Sequence, residues 1–473
     1  MDPVAVFLLS AAGILLVGAL GELVFRTTGF PDVIWLMLAG AILGPWLGIA
    51  GPAVLDPAAP YFASLALAVV VFETGSRFRV AELLGPHRRA AALGVVAFVS
   101  SVLAVAAVAM LAVSLRWLPG APGAPWDWRR CLLLGAILGG TSSTIFLPAL
   151  IRARADLHAA SIASLESATG ETLAIVAACA LAVPGPVRSF GSALAIGIVA
   201  GLVWLLFLKT IRATNHAYSI TLALLLVLSV GVENWGGVPA MAILGAAVVL
   251  GNAPSIARAL KLSDVLDLGE DVRGYRSQLA FLIKAFFFVF LGTRLGPPWG
   301  PVAIGAALAV ALLAARIPAV ALVAGTRLES RRGVLNACLP RGLVAGVLGA
   351  LAWSRWVPGD AALPGLVAGC VFASVALFAV LLPAASAGYS PAAGGGGAPG
   401  TYAPAAPVPP VAPPVRAEDL WALPPAAPLI WPRPARPAVR PSARGVPAPV
   451  PPDEIIAVPP SEPDITPGSG FRW

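Results

Sequence analysis

Charged residues are what this chain most lacks. Of its 473 residues 11% are Asp, Glu, Lys or Arg and 58% are hydrophobic, whereas a soluble globular protein carries roughly 25% charged residues. So few charges cannot build a water-facing surface, which excludes an ordinary soluble globule. Cysteine is nearly absent: Cys131, Cys179, Cys338 and Cys370 all sit in apolar runs at no metal-ligand spacing. Neither a disulfide framework nor a zinc site is expected, and the four read as small core residues. The three histidines, His87, His158 and His216, lie close to Arg or Lys near the ends of apolar runs. They read as solvated loop residues, a pH-sensing role being the alternative. The basic start of a secretory signal is missing too, Asp2 standing there before a full-length apolar run, so no cleaved signal peptide is expected.

Long apolar runs are what the chain has. They recur from Val4 to Leu382, and the mean hydropathy is +0.87. Runs of about twenty residues cross a hydrocarbon core of about 30 Å, so the chain reads as an all-α polytopic membrane protein. Splitting at Pro, Gly and charge clusters predicts about thirteen transmembrane helices, near 4–25, 31–50, 58–76, 88–115, 130–151, 159–183, 189–209, 217–234, 238–254, 276–295, 299–325, 331–352 and 361–383. Residues 384–473 differ, with 23 of the 46 prolines and a glycine run ending at Gly397. Such a segment cannot bury enough apolar surface to offset its ordering entropy and is expected to be a disordered tail. Its six Arg balance six acids, so the net charge of +8 belongs to residues 1–383 and reports membrane topology rather than nucleic-acid binding.

Alternate loops hold sixteen and six basic residues. Positive charge marks the cytoplasmic side, which puts the N-terminus outside and, after an odd number of spans, the tail in the cytoplasm. The expected location is the bacterial inner membrane.

Lys284, Arg316 and Arg341 are the basic residues that the loops do not account for, and Glu73, Glu166 and Glu171 are acids in comparable places. A lone ion at the bilayer centre costs about 2.5–3.5 kcal/mol or more, so these side chains should pair or line an aqueous cavity. The three acids match the three bases, which favours pairing, and Lys284 either lies near an ion path or pairs with Glu73. In 164-SLESATGETLAIV-176 the two acids are five residues apart, about 140° around a helix, so Glu166 and Glu171 need not share a partner. Glu171 falls at mid-span beside Gly170, the form expected of an ion site.

Two spans carry breakers at mid-membrane, 139-GGTSSTIFLP-148 and 338-CLPRGLVAG-346. Pro removes a backbone donor and Gly weakens a helix, which frees polar groups to face an ion; a small-residue packing face is the plainer explanation. If spans 1–6 and 8–13 are inverted repeats, the fifth and twelfth spans correspond, and transporters of that build place their site where two crossed discontinuous helices meet.

The segments 72-FETG-75, 141-TSST-144, 165-LESATGETL-173, 286-FFFVFLG-292 and 340-PRGL-343 together resemble the monovalent cation:proton antiporters of the sodium/hydrogen exchanger superfamily. The resemblance covers about residues 1–383. It implies a moving core domain (about 88–183 and 299–383), a scaffold or dimer domain (about 1–76 and 217–295) and a homodimer. It also implies that Glu171 binds proton or cation in turn, with Thr141, Ser142, Ser143 and Ser167 around it. Glu166 would pair with Arg341, and Arg316, Lys284 and Glu73 would be supporting charges. Glu171 stands where many members have Asp, Gly170 where they have Asn or Asp, and Ser142 where the exchanger branch has Asp. The Ser-Ser-Thr form resembles the potassium-efflux branch, so Na⁺ and K⁺ both stay open. No Gly-rich nucleotide-binding domain follows the apolar part, so nucleotide gating is not expected.

The expected function is exchange of protons for Na⁺ or K⁺ across the lipid bilayer by alternating access, without cofactor or enzymatic activity. A carboxylate that holds either a proton or a cation couples the two fluxes by competition. The alternative from another class is a non-transporting membrane scaffold or sensor acting through its proline-rich tail.

Overall fold

In lipid a backbone must satisfy its own N–H and C=O groups, which only helices and closed barrels do. Runs of Ala, Leu, Val and Ile separated by Gly and Pro take the helical solution, and the described residues contain no strand. The structure is a computed structural model describing residues 3–48, 59–78, 88–118, 125–153, 157–182, 186–211, 217–253, 255–256, 270–324, 331–357 and 360–387. His87, His216 and the tail from 388 onward lie outside the described residues.

In chain order the helices are α1 (Pro3–Thr28), α2 (Asp32–Ala41, continued by a π-turn Ile42–Trp46), α3 (Ala59–Arg77), α4 (Arg88–Ser114) and α5 (Trp128–Gly139). There follow α6 (Ser143–Arg152), α7 (Leu157–Ala182), α8 (Pro186–Ile211), α9 (Ala217–Asn234) and α10 (Pro239–Gly251). The last are α11 (Glu270–Gly292), α12 (Trp299–Ala324), α13 (Arg332–Ala337), α14 (Leu343–Leu351, continued by a π-turn Ala352–Trp356) and α15 (Ala362–Ala387). Among the described residues six segments are long and apolar enough to cross a membrane: α4, α5 with α6, α7, α8, α12 and α15. The all-helical membrane fold read from composition is therefore the fold found. Both spans with mid-membrane breakers are split, the fifth into α5 and α6 and the twelfth into α13 and α14.

Packing gathers the helices into neighbourhoods. The most extensive contacts of α12 are with α15 and α4, α8 and α3 both lie on α10, and α11 lies on α2. Helix α7 touches α3, α4, α5, α6 and α14, which makes it the helix around which the polar residues collect. Lipid tails are as apolar as Leu, so helices in a bilayer associate through close van der Waals contact between small residues. The α2–α11 crossing illustrates this reciprocally. A Cβ on Gly40 would stand 2.1 Å from the Val289 carbonyl oxygen, and one on Gly292 would stand 2.1 Å from that of Met37. The four cysteines are buried and free, as expected of small core residues.

Inserting one methyl at this crossing is expected to force the helices apart and to destabilise the protein by about 1–3 kcal/mol. Thermal unfolding in detergent should show a lowered midpoint for Gly292→Ala and no loss for Gly300→Ala, where nothing lies within 4 Å of the added Cβ.

Candidate functional site: two broken helices and a buried carboxylate

Helix α5 stops at Gly139, and Gly140 and Ser142 are extended, with ψ of 137° and 109°. Helix α13 stops at Ala337, and α14 restarts only behind Pro340, which has no amide proton, and extended Gly342. The two breaks meet. The Ser142 amide donates to the Pro340 carbonyl at 2.9 Å, so each break satisfies part of the other. A Cβ on Gly342 would fall 2.1 Å from Ser142 Oγ, and only glycine permits the crossing. On α7 the Ser167 hydroxyl donates to the Thr141 carbonyl at 2.8 Å and accepts from the Ser143 amide at 2.8 Å. Gly140 lies against the same helix, where a Cβ would stand 3.1 Å from the Gly170 carbonyl oxygen.

The C-terminal ends of the half-helices present unpaired carbonyls and partial negative charge. A buried arginine meets each. Arg341 donates through Nη1 to the Gly139 carbonyl at 2.6 Å and through Nη2 to Ser101 Oγ at 3.3 Å, while its own amide donates to Ser374 Oγ at 3.0 Å. Arg316 donates through Nε to the Leu335 carbonyl at 2.8 Å. Its fork also grips Glu166, Nη1 to Oε1 at 2.6 Å and Nη2 to Oε2 at 2.7 Å, with both side chains 2% exposed.

Glu171 lies one and a half turns beyond Glu166 on α7 and is 4% exposed. Glu171 is not a member of the ion pairs Arg77–Glu73, Lys284–Asp32, Arg316–Glu166 and Arg355–Glu233. Hydroxyls surround it instead. The Thr74 hydroxyl on α3 lies 3.5 Å from Oε2, and the Ser142 hydroxyl, bonded to Thr144 Oγ1 at 2.9 Å, lies near the carboxyl. Arg77, on the last turn of α3, holds Glu73 and donates to Ser143 Oγ at 3.5 Å. Two turns beyond Glu171 on α7, Cys179 lines a cavity of about 800 Å³ with Ser64, Leu67, Glu233, Leu351 and Arg355.

Of the residues singled out from the sequence, Thr141, Ser142, Ser143, Ser167 and Glu171 come together at the breaks, with Glu73 at their edge. The Glu166–Arg341 ion pair is not formed. Glu166 is taken by Arg316, and Arg341 spends its guanidinium on a helix C-terminus that no carboxylate occupies. The three-to-three matching of acids and bases fails for the same reason. Lys284 pairs with Asp32 at the start of α2, and Glu73 pairs with Arg77 one turn along its own helix. Arg77, Thr74, Ser101 and Ser374 are partners that the sequence did not single out. Thr74 was within reach, since it sits inside the quoted 72-FETG-75; nothing local marks Ser101 or Ser374.

Residues 12–388 match the family model described as sodium/hydrogen exchanger, transmembrane. Among solved structures, the sodium proton antiporter MjNhaP1 from Methanocaldococcus jannaschii at pH 8 superposes with a TM-score of 0.64 at 20% identity, over 80% of this chain and 97% of that one. The same antiporter from a 3D electron-microscopy map gives a TM-score of 0.58 at 18% identity, over 81% of this chain and 98% of that one. At such identities the likeness concerns the fold alone. No curated protein matches the chain in sequence.

The arginine assignment has a direct check. Removing one partner of a buried ion pair leaves the other uncompensated and costs about 3–5 kcal/mol. Glu166→Gln and Arg316→Met should each destabilise the protein by that order, and the double variant by much less than their sum. Unfolding of the full double-mutant cycle should give a clearly larger coupling for Glu166 with Arg316 than for Glu166 with Arg341.

Proposed function

The chain belongs to the sodium/hydrogen exchanger family, whose members are membrane antiporters rather than enzymes, and on that premise we propose that it exchanges protons for Na⁺ or K⁺ at Glu171 by alternating access. The observation that carries the proposal is a buried carboxylate outside the four ion pairs named above, with Arg77 near it and the hydroxyls of Thr74 and Ser142 beside it, where two broken helices cross. A membrane protein that keeps a carboxylate at such depth without pairing it has a use for it.

Each half-reaction follows from the groups present. With a proton on Glu171 the site is neutral and tolerates its apolar surroundings. With the proton gone, the carboxylate needs a counter-charge, which an alkali cation supplies while taking oxygens from Ser142, Ser143 and Thr141 in place of water. Helix α6 begins at Ser143, so its positive end helps hold the carboxylate. Ser167 positions the segment by bonding to the backbone on both sides of Ser142. A single carboxylate at this position favours one-for-one exchange.

The moving part is taken to be residues 88–183 and 299–383, with 1–76 and 217–295 as scaffold and dimer domain. The tight packing of α12 on α15 and α4, and of α10 on α8 and α3, supports that division. The excess of basic residues on one set of loops supports an external N-terminus and a cytoplasmic tail.

The test is proton–cation exchange in everted vesicles from a strain lacking its own antiporters, read with a ΔpH-sensitive dye as Na⁺, K⁺ and Li⁺ are added in turn. Cation-dependent dequenching is expected from the wild type, and none above the empty-vesicle level from Glu171→Gln. Dequenching that survives Glu171→Gln removes Glu171 as the shared site. Silence of a folded wild type with every cation favours the scaffold reading instead.

A further inference from the structure

We infer that Thr74 is a further ligand of the transported cation: its hydroxyl on α3 and the Glu171 carboxylate on α7 hold the ion between them. This rests on Glu171 being the exchange site, and it adds an oxygen from a helix outside the two breaks.

The first observation is where the hydroxyl goes. A threonine inside a helix commonly turns its hydroxyl back to the carbonyl four residues earlier, and Thr169 and Thr172 on α7 do so, at 2.9 Å to Leu165 and 2.8 Å to Ala168. Thr74 is directed across the helix boundary to Glu171 Oε2. It is also buried, 3% exposed, and a hydroxyl in apolar surroundings costs free energy unless it has a polar partner.

The second observation is what the hydroxyl faces. Thr74 Oγ1 stands 3.5 Å from Glu171 Oε2, so the two oxygens oppose one another from different helices, and a cation held by the carboxylate lies within reach of the hydroxyl.

The third observation is what fixes Thr74 there. Next to it, Gly75 lies against α10, where a Cβ would be 2.7 Å from Ala247 Cβ and 3.0 Å from Leu244 Cδ1. Helix α3 is therefore close-packed on α10 at the level of Thr74. In the proposed division α3 is scaffold and α7 is core, so an ion bound by both is coordinated across the moving boundary. Displacement of the core strips one ligand and helps release the cation.

The experiment compares Thr74→Val, which keeps the shape and removes the hydroxyl, with Thr74→Ser, which keeps the hydroxyl, in the full chain. Loss of one supporting group at an ion site typically weakens binding about tenfold. Thr74→Val should raise the half-saturating cation concentration by about that factor, with the maximal rate at saturating cation retained and the ratio between Na⁺ and K⁺ altered. Thr74→Ser should stay near the wild type. An unchanged half-saturation in Thr74→Val overturns the inference, as does an equal shift in both variants, which would mark a packing role. Glu171→Gln runs alongside: exchange surviving there defeats the Glu171 reading and this inference with it, while a silent Glu171→Gln beside an unchanged Thr74→Val defeats this inference alone. A transport-independent arm uses the purified protein in detergent with NaCl, KCl or choline chloride. A cation-dependent rise in melting temperature that Thr74→Val loses and Thr74→Ser keeps supports the ligand, and its absence in wild type or its persistence in Thr74→Val overturns it.

Discussion

Two spans that break inside the bundle leave amides and carbonyls buried away from water, and each such group costs several kcal/mol if it stays unsatisfied. The rest of the structure answers that constraint. The Ser142 amide finds Pro340, Ser167 on α7 serves the Thr141 carbonyl and the Ser143 amide, and Gly342 yields the space that lets the chains cross. The position of Glu171 follows, because Gly140 presses the first break onto α7 at Gly170 and Glu171.

The buried arginines complete the same answer. A guanidinium offers five donors in a plane, enough for Arg316 to grip both oxygens of Glu166 and still reach the Leu335 carbonyl. Arg341 meets the carbonyl of Gly139 and the hydroxyl of Ser101 without any carboxylate. A lysine could not span either set of partners, since its ammonium is a single point on a flexible stem. Positive charge at the two C-terminal ends offsets the negative poles of α5 and α13, and Glu166 is consumed in doing so. Glu171 is thus left as a buried acid beside the hydroxyls of Thr74 and Ser142.

The fold was legible from composition and period because the membrane leaves few choices. A run of about twenty apolar residues bounded by Gly, Pro and charge must be a helix there. The interruptions were legible for the same reason: 139-GGTSST-144 and 338-CLPRGL-343 concentrate residues that helices avoid. Glu171 stood out as an acid at mid-span. Each of these readings depends on local chemistry acting on local backbone.

Partner choice was not legible. Arg316 and Arg341 are both basic residues at comparable depth in apolar spans, and nothing in the neighbouring residues distinguishes the one that meets Glu166. What distinguishes them is which half-helix ends nearest to each, and that depends on how α7, α12 and the two breaks pack. The expected Lys284–Glu73 pair fails likewise, since Lys284 meets Asp32 at the start of α2 and Glu73 meets Arg77 on its own helix. Sequence alone determined that the chain is a bundle of membrane helices, two of them broken, with a carboxylate in the middle of an apolar span, because hydrocarbon imposes that on each segment separately. Only the tertiary structure decided which charges neutralise one another and which carboxylate stays free, because electrostatic partnership is set by distances of a few ångströms between segments far apart in the chain.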